Sequence, residues 1–163
     1  ELLLLISPRL DASEASSWGT LGAPAGRLRA ACALQNGLVV SGCRAGELQL
    51  WSGPCLIRRT QAHVGPIRAL AASPEGGRFA SGGDDGAALL WSDQAVRLRR
   101  LDLSSALSPL LDAYGRPLTA AGSARASLCG VAWVRSPALG GEESLAVATR
   151  HAELHLLPLA PGV

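Results

Sequence analysis

The chain has 163 residues, of which 48% are hydrophobic, and its mean hydropathy is +0.22. These values indicate a folded chain with its own core and exclude general disorder. The formal net charge is only +2, and the 15 basic residues are all arginines. Because they occur in short, scattered groups, the chain lacks the concentrated basic face of a nucleic-acid-binding protein.

The first apolar run, Leu2–Ile6, predicts a buried strand. It is too short for the hydrophobic part of a signal peptide or for a membrane span, and no basic segment precedes it. We therefore expect a protein of the cytoplasm without a membrane partner. The chain begins at Glu1 and contains no methionine, which indicates a fragment of a longer protein.

The cysteines show no Cys-x-x-Cys pair and no histidine at the spacing of metal ligands. They are Cys32, Cys43, Cys55 and Cys129. Three of them lie within or beside apolar runs, where a reduced cysteine behaves as a small hydrophobic residue. We expect a reducing compartment, no metal and no other cofactor.

Two stretches of the chain repeat each other without a gap. Gly37–Trp51 aligns with Gly77–Trp91 at an offset of 40 residues. Identical pairs include Ser41/Ser81, Gly42/Gly82, Gly46/Gly86, Leu50/Leu90 and Trp51/Trp91. A period of about 40–45 residues with several short strands in each unit resembles the WD40 repeat.

Apolar runs separated by turn residues predict antiparallel strands in both units. Asp84–Gly86 lies between two such runs, and an Asp-Gly pair in this setting favours a hairpin because glycine accepts a positive φ. Arg44–Gly46 takes the same place in the earlier unit. The predicted strands are Leu28–Ala33, Gly37–Ser41, Leu56–Gln61, Ile67–Ala72, Arg78–Ser81 and Ala95–Leu101, with one more before each tryptophan.

A third, weaker unit is predicted from Ser127 to Leu157, with an inserted loop before its second strand. Its histidines, His151 and His155, alternate with apolar residues, which favours solvent-facing strand positions over metal ligation. Its strands are predicted at Leu128–Val134, Ser144–Thr149 and Glu153–Leu157, with the loop at Ala138–Glu143 and a turn at Arg150–Ala152.

The stretch Leu103–Ala126 is rich in Ser, Pro, Gly and Ala and has no clear period. It predicts a long loop between units, and long loops in compact domains are often functional or mobile. Asp112, Tyr114 and Arg116 are its candidate contact residues, although a merely solvated loop is the simpler interpretation.

The later of the two repeating units holds four residues that occur together in WD40 repeats: His63, Ser81, Asp85 and Trp91. The resemblance implies a buried hydrogen-bond chain from Asp85 through His63 and Ser81 to the indole N–H of Trp91. His63, Ser81 and Asp85 also permit a hydrolytic triad as an alternative. Because the repeat explains all three and no nucleophile elbow accompanies them, we expect a structural role and no enzyme activity.

The first unit departs from this pattern, since Ala45 and Ala23 stand where Asp85 and His63 do in the second. We therefore expect no such network there. The expected fold is all-β, a partial WD40 β-propeller of two to three four-stranded blades in an incomplete circle. Its expected divisions are a remnant strand and loop of a preceding blade (1–22), a degenerate blade (23–62), the complete blade (63–102), an inter-blade loop (103–126) and a second degenerate blade (127–163).

Several segments resemble one particular family. Gln-Ala-His-Val-Gly-Pro-Ile at Gln61–Ile67, Ala-Ser-Gly-Gly-Asp-Asp-Gly at Ala80–Gly86 and Leu-Leu-Trp at Leu89–Trp91 are similar to repeats of the echinoderm microtubule-associated protein-like family. The resemblance implies tandem propellers that bind tubulin and decorate microtubules, and so a place at the cytoskeleton. Weaker matches extend the likeness to most of the chain: Trp18–Gly22, Leu38–Gly42 and Leu145–Arg150.

Two short arginine clusters are candidate contacts to an acidic partner: Arg58, Arg59, Arg97, Arg99 and Arg100. Charge that protects exposed strand edges is the alternative explanation. We expect a non-catalytic scaffold that binds tubulin or microtubules, and other proteins through its propeller faces. The alternative is a generic WD40 adaptor, such as a substrate receptor of a ubiquitin ligase, because the fold alone does not separate the two.

Overall fold

The structure is a computed structural model that describes residues 27–103, 127–135, 143–150 and 152–159. Every regular element in these ranges is a β-strand. Several features of the sequence lie outside the described residues: the strand expected at Leu2–Ile6, the Trp18–Gly22 match, Ala23, most of the inserted loop, His151, and the loop residues Asp112, Tyr114 and Arg116.

The strands form three antiparallel sheets, and in each of them neighbours in sequence are neighbours in space. Sheet one contains β1 Leu28–Ala33, β2 Val39–Cys43, β3 Glu47–Ser52 and β4 Cys55–Gln61. Sheet two contains β5 Ile67–Ala72, β6 Arg78–Gly83, β7 Ala87–Ser92 and β8 Arg97–Asp102. The described part of sheet three contains β9 Leu128–Arg135, β10 Glu143–Thr149 and β11 Leu154–Pro158.

The strand boundaries lie within two residues of the predicted ones: β2 begins and ends two residues later than predicted, and β6 ends two residues later. β1 and β5 begin and end at the predicted residues. β8 begins later than predicted because Ala95 belongs to a tight turn: its φ is +54° and its N–H donates to the carbonyl of Ser92 at 3.0 Å. The apolar character of Ala95 and Val96 therefore misplaced the start of that strand.

The three sheets lie face to face, with the first strand of each sheet next to the first strand of its neighbour. β5 packs against β1 on one side and against β9 on the other. Each sheet then runs outward to β4, to β8 and, among the described residues, to β11. Radially arranged four-stranded sheets of this kind form a β-propeller, and three sheets make an arc of one.

Sheet two is buried on both faces, and alternate residues of β7 supply the two faces. Leu89 and Trp91 pack towards sheet one, whereas Ala88 and Leu90 pack towards sheet three. Leu89 and Leu90 are fully buried, and burial of such a side chain stabilises a fold by about 1.5–3 kcal/mol. The ring of Phe79 stacks on Trp91 at a centroid distance of 6.1 Å.

The chain passes from sheet one to sheet two across the β2–β3 turn. The carbonyl of Gly46 in that turn accepts the N–H groups of Ala62 and His63 at 2.9 and 3.1 Å. Gly46 has a φ of +84°, and a Cβ placed on it would lie 2.1 Å from the carbonyl oxygen of His63. Only glycine allows the two backbones to approach this closely.

At the opposite end of the strands, polar side chains join neighbouring sheets. Asn36 donates to Asp93 at 3.1 Å, and Arg58 donates to the carbonyl of Gln94 at 3.2 Å. Between sheets two and three, the Trp133 indole donates to the carbonyl of Ala71 at 3.0 Å. Arg78 reaches from sheet two to Glu143 at 2.6 Å, with its guanidinium 5.5 Å from the centre of the Trp133 ring.

The orientation of β11 is opposite to the one expected from its sequence. Leu154 and Leu156 are 70% and 51% exposed, whereas Leu157 packs into the core between sheets two and three. His155 shares the face of Leu157, so it is half-buried, with its Nε2 atom 3.6 Å from Glu153. The prediction that His155 faces solvent was wrong, because the apolar alternation of β11 does not reveal which leucines meet the core.

Gly46→Ala should destabilise the fold more than Gly37→Ala does. Both glycines have a φ near +80°, which costs an L residue about 1–2 kcal/mol, but only Gly46 has a backbone against its Cβ position. Chemical denaturation of both variants measures the difference between them. Equal losses of stability would contradict the close contact at the crossing between the sheets.

Candidate functional site

The structure brings His63, Ser81, Asp85 and Trp91 together in one hydrogen-bonded chain. The carboxylate of Asp85 lies 2.8 Å from Nδ1 of His63, and Nε2 of His63 lies 2.8 Å from Oγ of Ser81. The indole N–H of Trp91 donates to the same Ser81 oxygen at 2.9 Å. The chain therefore links the loop before β5 to β6, β7 and the turn between them.

Asp85 is held in place by backbone groups as well as by His63. Its two carboxylate oxygens accept the N–H groups of Val64 at 3.2 Å and Ala87 at 3.3 Å. Burial by itself would raise the pKa of Asp85, but the hydrogen bond and the charge of His63, together with these N–H groups, outweigh it and lower the pKa. Asp85 is thus a fixed anion at the end of the chain.

The geometry contradicts the hydrolytic-triad alternative. Ser81 is 0% exposed and the side chain of His63 is 0% exposed, so a substrate has no access to the serine oxygen. The Ser81 oxygen already accepts the Trp91 indole N–H and lies against His63, so its hydrogen bonds are used within the core. A nucleophile needs an open approach and an oxyanion site beside it, and these residues serve the core instead.

The first unit lacks the aspartate of the network, as Ala45 predicts, but keeps the hydrogen bond between serine and tryptophan. The Trp51 indole donates to Oγ of Ser41 at 2.8 Å, and Ser41 donates to Oε1 of Gln49 at 3.3 Å. Gln49 is 1% exposed and in turn donates to Glu47 at 3.0 Å. A side chain on β3 thus replaces the histidine, which an alignment of His63 and Asp85 positions does not reveal.

Asp84, next to Asp85, joins sheet two to sheet three. Arg68 of β5 holds its carboxylate with two hydrogen bonds at 2.8 and 2.6 Å, and Ser127 donates to it from the start of the third unit. The hydrogen bond from Arg68 is the main reason that the pKa of Asp84 is lowered, and Ser127 and the charge of Arg150 act in the same direction against burial. The sequence suggested only turn chemistry for Asp84.

The five candidate arginines on the outer strands do not share one face. Arg58 and Arg59 are consecutive on β4 and point to opposite faces of the sheet, as do Arg99 and Arg100 on β8. Arg59 lies 3.6 Å from Glu47, and Arg100 lies 3.8 Å from Asp85 and 3.7 Å from Asp102. Within the described ranges, no acidic side chain forms an ion pair with Arg97 or Arg99.

Other site chemistries receive no support from the described part of the chain. No group of three His, Cys, Asp or Glu side chains within it is placed to hold a metal ion. None of its elements is a helix with the length and apolarity to cross a bilayer. Burial raises the pKa of the Cys32 thiol to about 12, which makes this cysteine an inert part of the core.

Comparison with known proteins identifies the repeat. Residues 54–92 match a family model described as WD domain, G-beta repeat. This span runs from the β3–β4 turn to the end of β7, so the sequence repeat combines the outer strand of one sheet with three strands of the next.

Solved structures show the same fold. The chain is 17% identical to the β-propeller domain of Cps50 (Swd1) from Myceliophteria thermophila, with a TM-score of 0.59 over 86% of this chain and 38% of that one. The RRP9 WD40 repeats match at 15% identity and a TM-score of 0.56, over 78% and 34% of the two chains. U3-55K is 15% identical, with a TM-score of 0.56 over 78% of this chain and 35% of that one.

The chain folds as part of a WD40 β-propeller. It spans little more than a third of each of these solved structures. Identities of 15–17% establish the fold alone.

Asp85→Ala in this WD40 unit should lower the free energy of unfolding by about 1–3 kcal/mol, because it leaves His63 and the N–H groups of Val64 and Ala87 without an acceptor. Asp93→Ala is a suitable control, since it removes a carboxylate from an exposed hydrogen bond. Urea denaturation compares the two variants. A neutral effect of Asp85→Ala would show that the chain of four residues does not contribute to stability.

The lowered pKa values of Asp84 and Asp85 predict acid sensitivity. A carboxyl group whose pKa is depressed in the folded state stabilises the protein above its unfolded pKa of about 3.9, and this contribution is lost as the pH falls through the folded pKa. Asp84→Asn should therefore be less stable than the natural protein at pH 7. The difference should shrink as the pH falls below about 3.9, and urea midpoints measured from pH 7 downwards follow it. A difference that does not change with pH would contradict the assignment.

Proposed function

We propose that the chain is a non-catalytic WD40 scaffold that binds other proteins and that, in the full-length protein, it contributes to microtubule binding. The burial of His63, Ser81, Asp85 and Trp91 carries the first part of this proposal. The polar residues that could suggest catalysis are used to fix the blade, so interaction surfaces remain for function.

The microtubule part of the proposal rests on sequence and on charge. The segments Gln61–Ile67 and Ala80–Gly86 resemble repeats of the microtubule-associated family, and both surround the crossing between sheets one and two. An acidic partner such as tubulin favours an arginine-bearing surface, because complementary charge guides association.

The contacts of the outer arginines narrow the set that is available to a partner. Arg59 and Arg100 lie beside acidic side chains of their own sheets, which reduces the attraction they exert on a second protein. Arg58 donates one hydrogen bond to the carbonyl of Gln94, and this neutral acceptor does not neutralise its positive charge. We assign the contact to Arg58, Arg97 and Arg99.

Co-sedimentation of the full-length protein with microtubules tests the proposal. The natural protein should pellet with microtubules at about 50 mM salt and less at about 200 mM, because salt screens exposed charges. Arg58→Gln/Arg97→Gln/Arg99→Gln should weaken pelleting about fivefold or more if the three charges steer the contact. Arg135→Gln, which changes an exposed arginine on β9, serves as the control and should pellet normally.

Failure of the natural protein to pellet at low salt would overturn microtubule binding and would leave the WD40 scaffold as an adaptor for other proteins. Normal pelleting of the triple variant would instead contradict the assignment of Arg58, Arg97 and Arg99. Thermal melts of each variant establish that the propeller is intact, since these side chains contribute little to the core.

A further inference from the structure

One end of the propeller carries a bulged residue on each innermost strand. The register passes from Leu28↔Cys43 to Ala30↔Gly42 in sheet one, from Ile67↔Gly83 to Ala69↔Gly82 in sheet two, and from Leu128↔Thr149 to Gly130↔Ala148 in sheet three. The residues left between these pairs are Arg29, Arg68 and Cys129. A bulge redirects the side chain that it carries, so three equivalent side chains are set apart from the regular face of the strand.

A second set of equivalent positions lies beside the bulges. Arg44, Asp84 and Arg150 each follow the second strand of their sheet, and each donates its backbone N–H to the residue that precedes the first strand. The acceptors are the carbonyls of Arg27, Pro66 and Ser127, at 2.9, 3.0 and 2.9 Å. In sheet two the side chains of the two sets touch, since Arg68 binds Asp84.

We call these six residues the inner rim: Arg29, Arg44, Arg68, Asp84, Cys129 and Arg150. Its one acidic residue, Asp84, is already matched by Arg68, and Arg29, Arg44 and Arg150 are exposed. Neither Arg29 nor Arg44 forms an ion pair with an acidic side chain in residues 27–103, 127–135, 143–150 or 152–159. The six residues of the rim include four arginines and one carboxylate, so the rim presents an excess of positive charge.

Neighbouring carboxylates do not cancel this charge. Glu47 lies beside Arg59, and Asp85 is bound by His63 with Arg100 at 3.8 Å. The charge of Arg150 extends to Asp84 and lowers the pKa of that carboxyl, which places Arg150 within electrostatic reach of sheet two. The excess charge is thus spread across all three sheets at one end of their innermost strands.

The surroundings of the rim favour a peptide over a nucleic acid. Val64, in the loop that enters β5 beside Asp85, is 86% exposed and offers an apolar contact. The rings of Trp51, Phe79 and Trp91 are buried and Trp133 lies under Arg78, so none of these described rings provides a surface for base stacking at the rim.

We propose that the inner rim binds an acidic peptide segment of a partner protein. Glutamate or aspartate side chains would pair with the guanidinium groups of Arg29, Arg44 and Arg150, because a guanidinium can donate two parallel hydrogen bonds to one carboxylate. This site is separate from Arg58, Arg97 and Arg99 on the outer strands, and it does not depend on microtubule binding.

Fluorescence anisotropy with a labelled twelve-residue glutamate-rich peptide tests the site in the full-length protein. Arg29→Gln/Arg44→Gln/Arg150→Gln should raise the Kd for the peptide by about tenfold or more, which corresponds to 1.4 kcal/mol. Arg58→Gln/Arg97→Gln/Arg99→Gln removes the same charge from the outer strands and should raise the Kd by much less than the inner variant does, because binding at the rim depends on local pairing rather than on net charge.

Thermal melts of the two triple variants should agree with that of the natural protein, because all of the replaced side chains lie outside the buried core. If a triple variant melts early, the single variants Arg44→Gln and Arg150→Gln carry the test, and each should weaken peptide binding while the fold remains intact. Unchanged Kd values for those two folded variants would overturn the site.

Equal losses of peptide binding in the inner and outer triple variants would overturn the proposal, because they would show attraction by net charge alone. Absence of peptide binding at about 50 mM salt would also overturn it, since exposed charges are least screened there. Tighter binding of a single-stranded oligonucleotide than of the peptide would assign the rim to nucleic acid. None of these results depends on microtubules. The pelleting experiment can therefore fail while the rim proposal holds, and the rim proposal can fail while pelleting is observed.

Discussion

The hydrogen bond between Asp85 and His63 fixes the point where the chain crosses from sheet one to sheet two. His63 is bound on both sides of this crossing, since its side chain contacts Asp85 and Ser81 while its N–H donates to Gly46 of sheet one. The close approach of Gly46 to the backbone of His63 and the burial of Trp91 between two sheets both occur beside this position.

This dependence explains why the sequence predicts the fold better than the site. A gap-free offset of 40 residues between Trp51 and Trp91 gives the strand positions, because each repeat must cover the face of the next. The same offset did not reveal the polar contacts of the first unit, where Gln49 on β3 supplies the acceptor for Ser41. Hydrogen-bond networks depend on which side chains are close in space, and side chains from different sequence positions can occupy the same place beside a given partner.

The orientation of β11 and the role of Asp84 could not be predicted from the sequence for a related reason. Alternation along β11 defines two faces but not which of them meets the core, and Leu157 rather than Leu154 or Leu156 does so. Asp84 looks like an ordinary turn residue, yet Arg68 and Ser127 reach it from two other parts of the chain. Both features arise from contacts between distant segments, which local pattern does not encode.

The three sheets separate what the fold requires from what a partner can use. At the inner rim the same backbone hydrogen bond recurs in every sheet, from Arg44, Asp84 and Arg150. The side chains at those positions differ in charge, and so do the bulged residues Arg29, Arg68 and Cys129. The architecture thus fixes the backbone and leaves the side chains free to vary. At Ser81 and Trp91 the reverse holds, because each side chain is itself the hydrogen-bond partner. Side chains at the rim of the blades can therefore vary to recognise a partner, whereas those buried within the blades cannot.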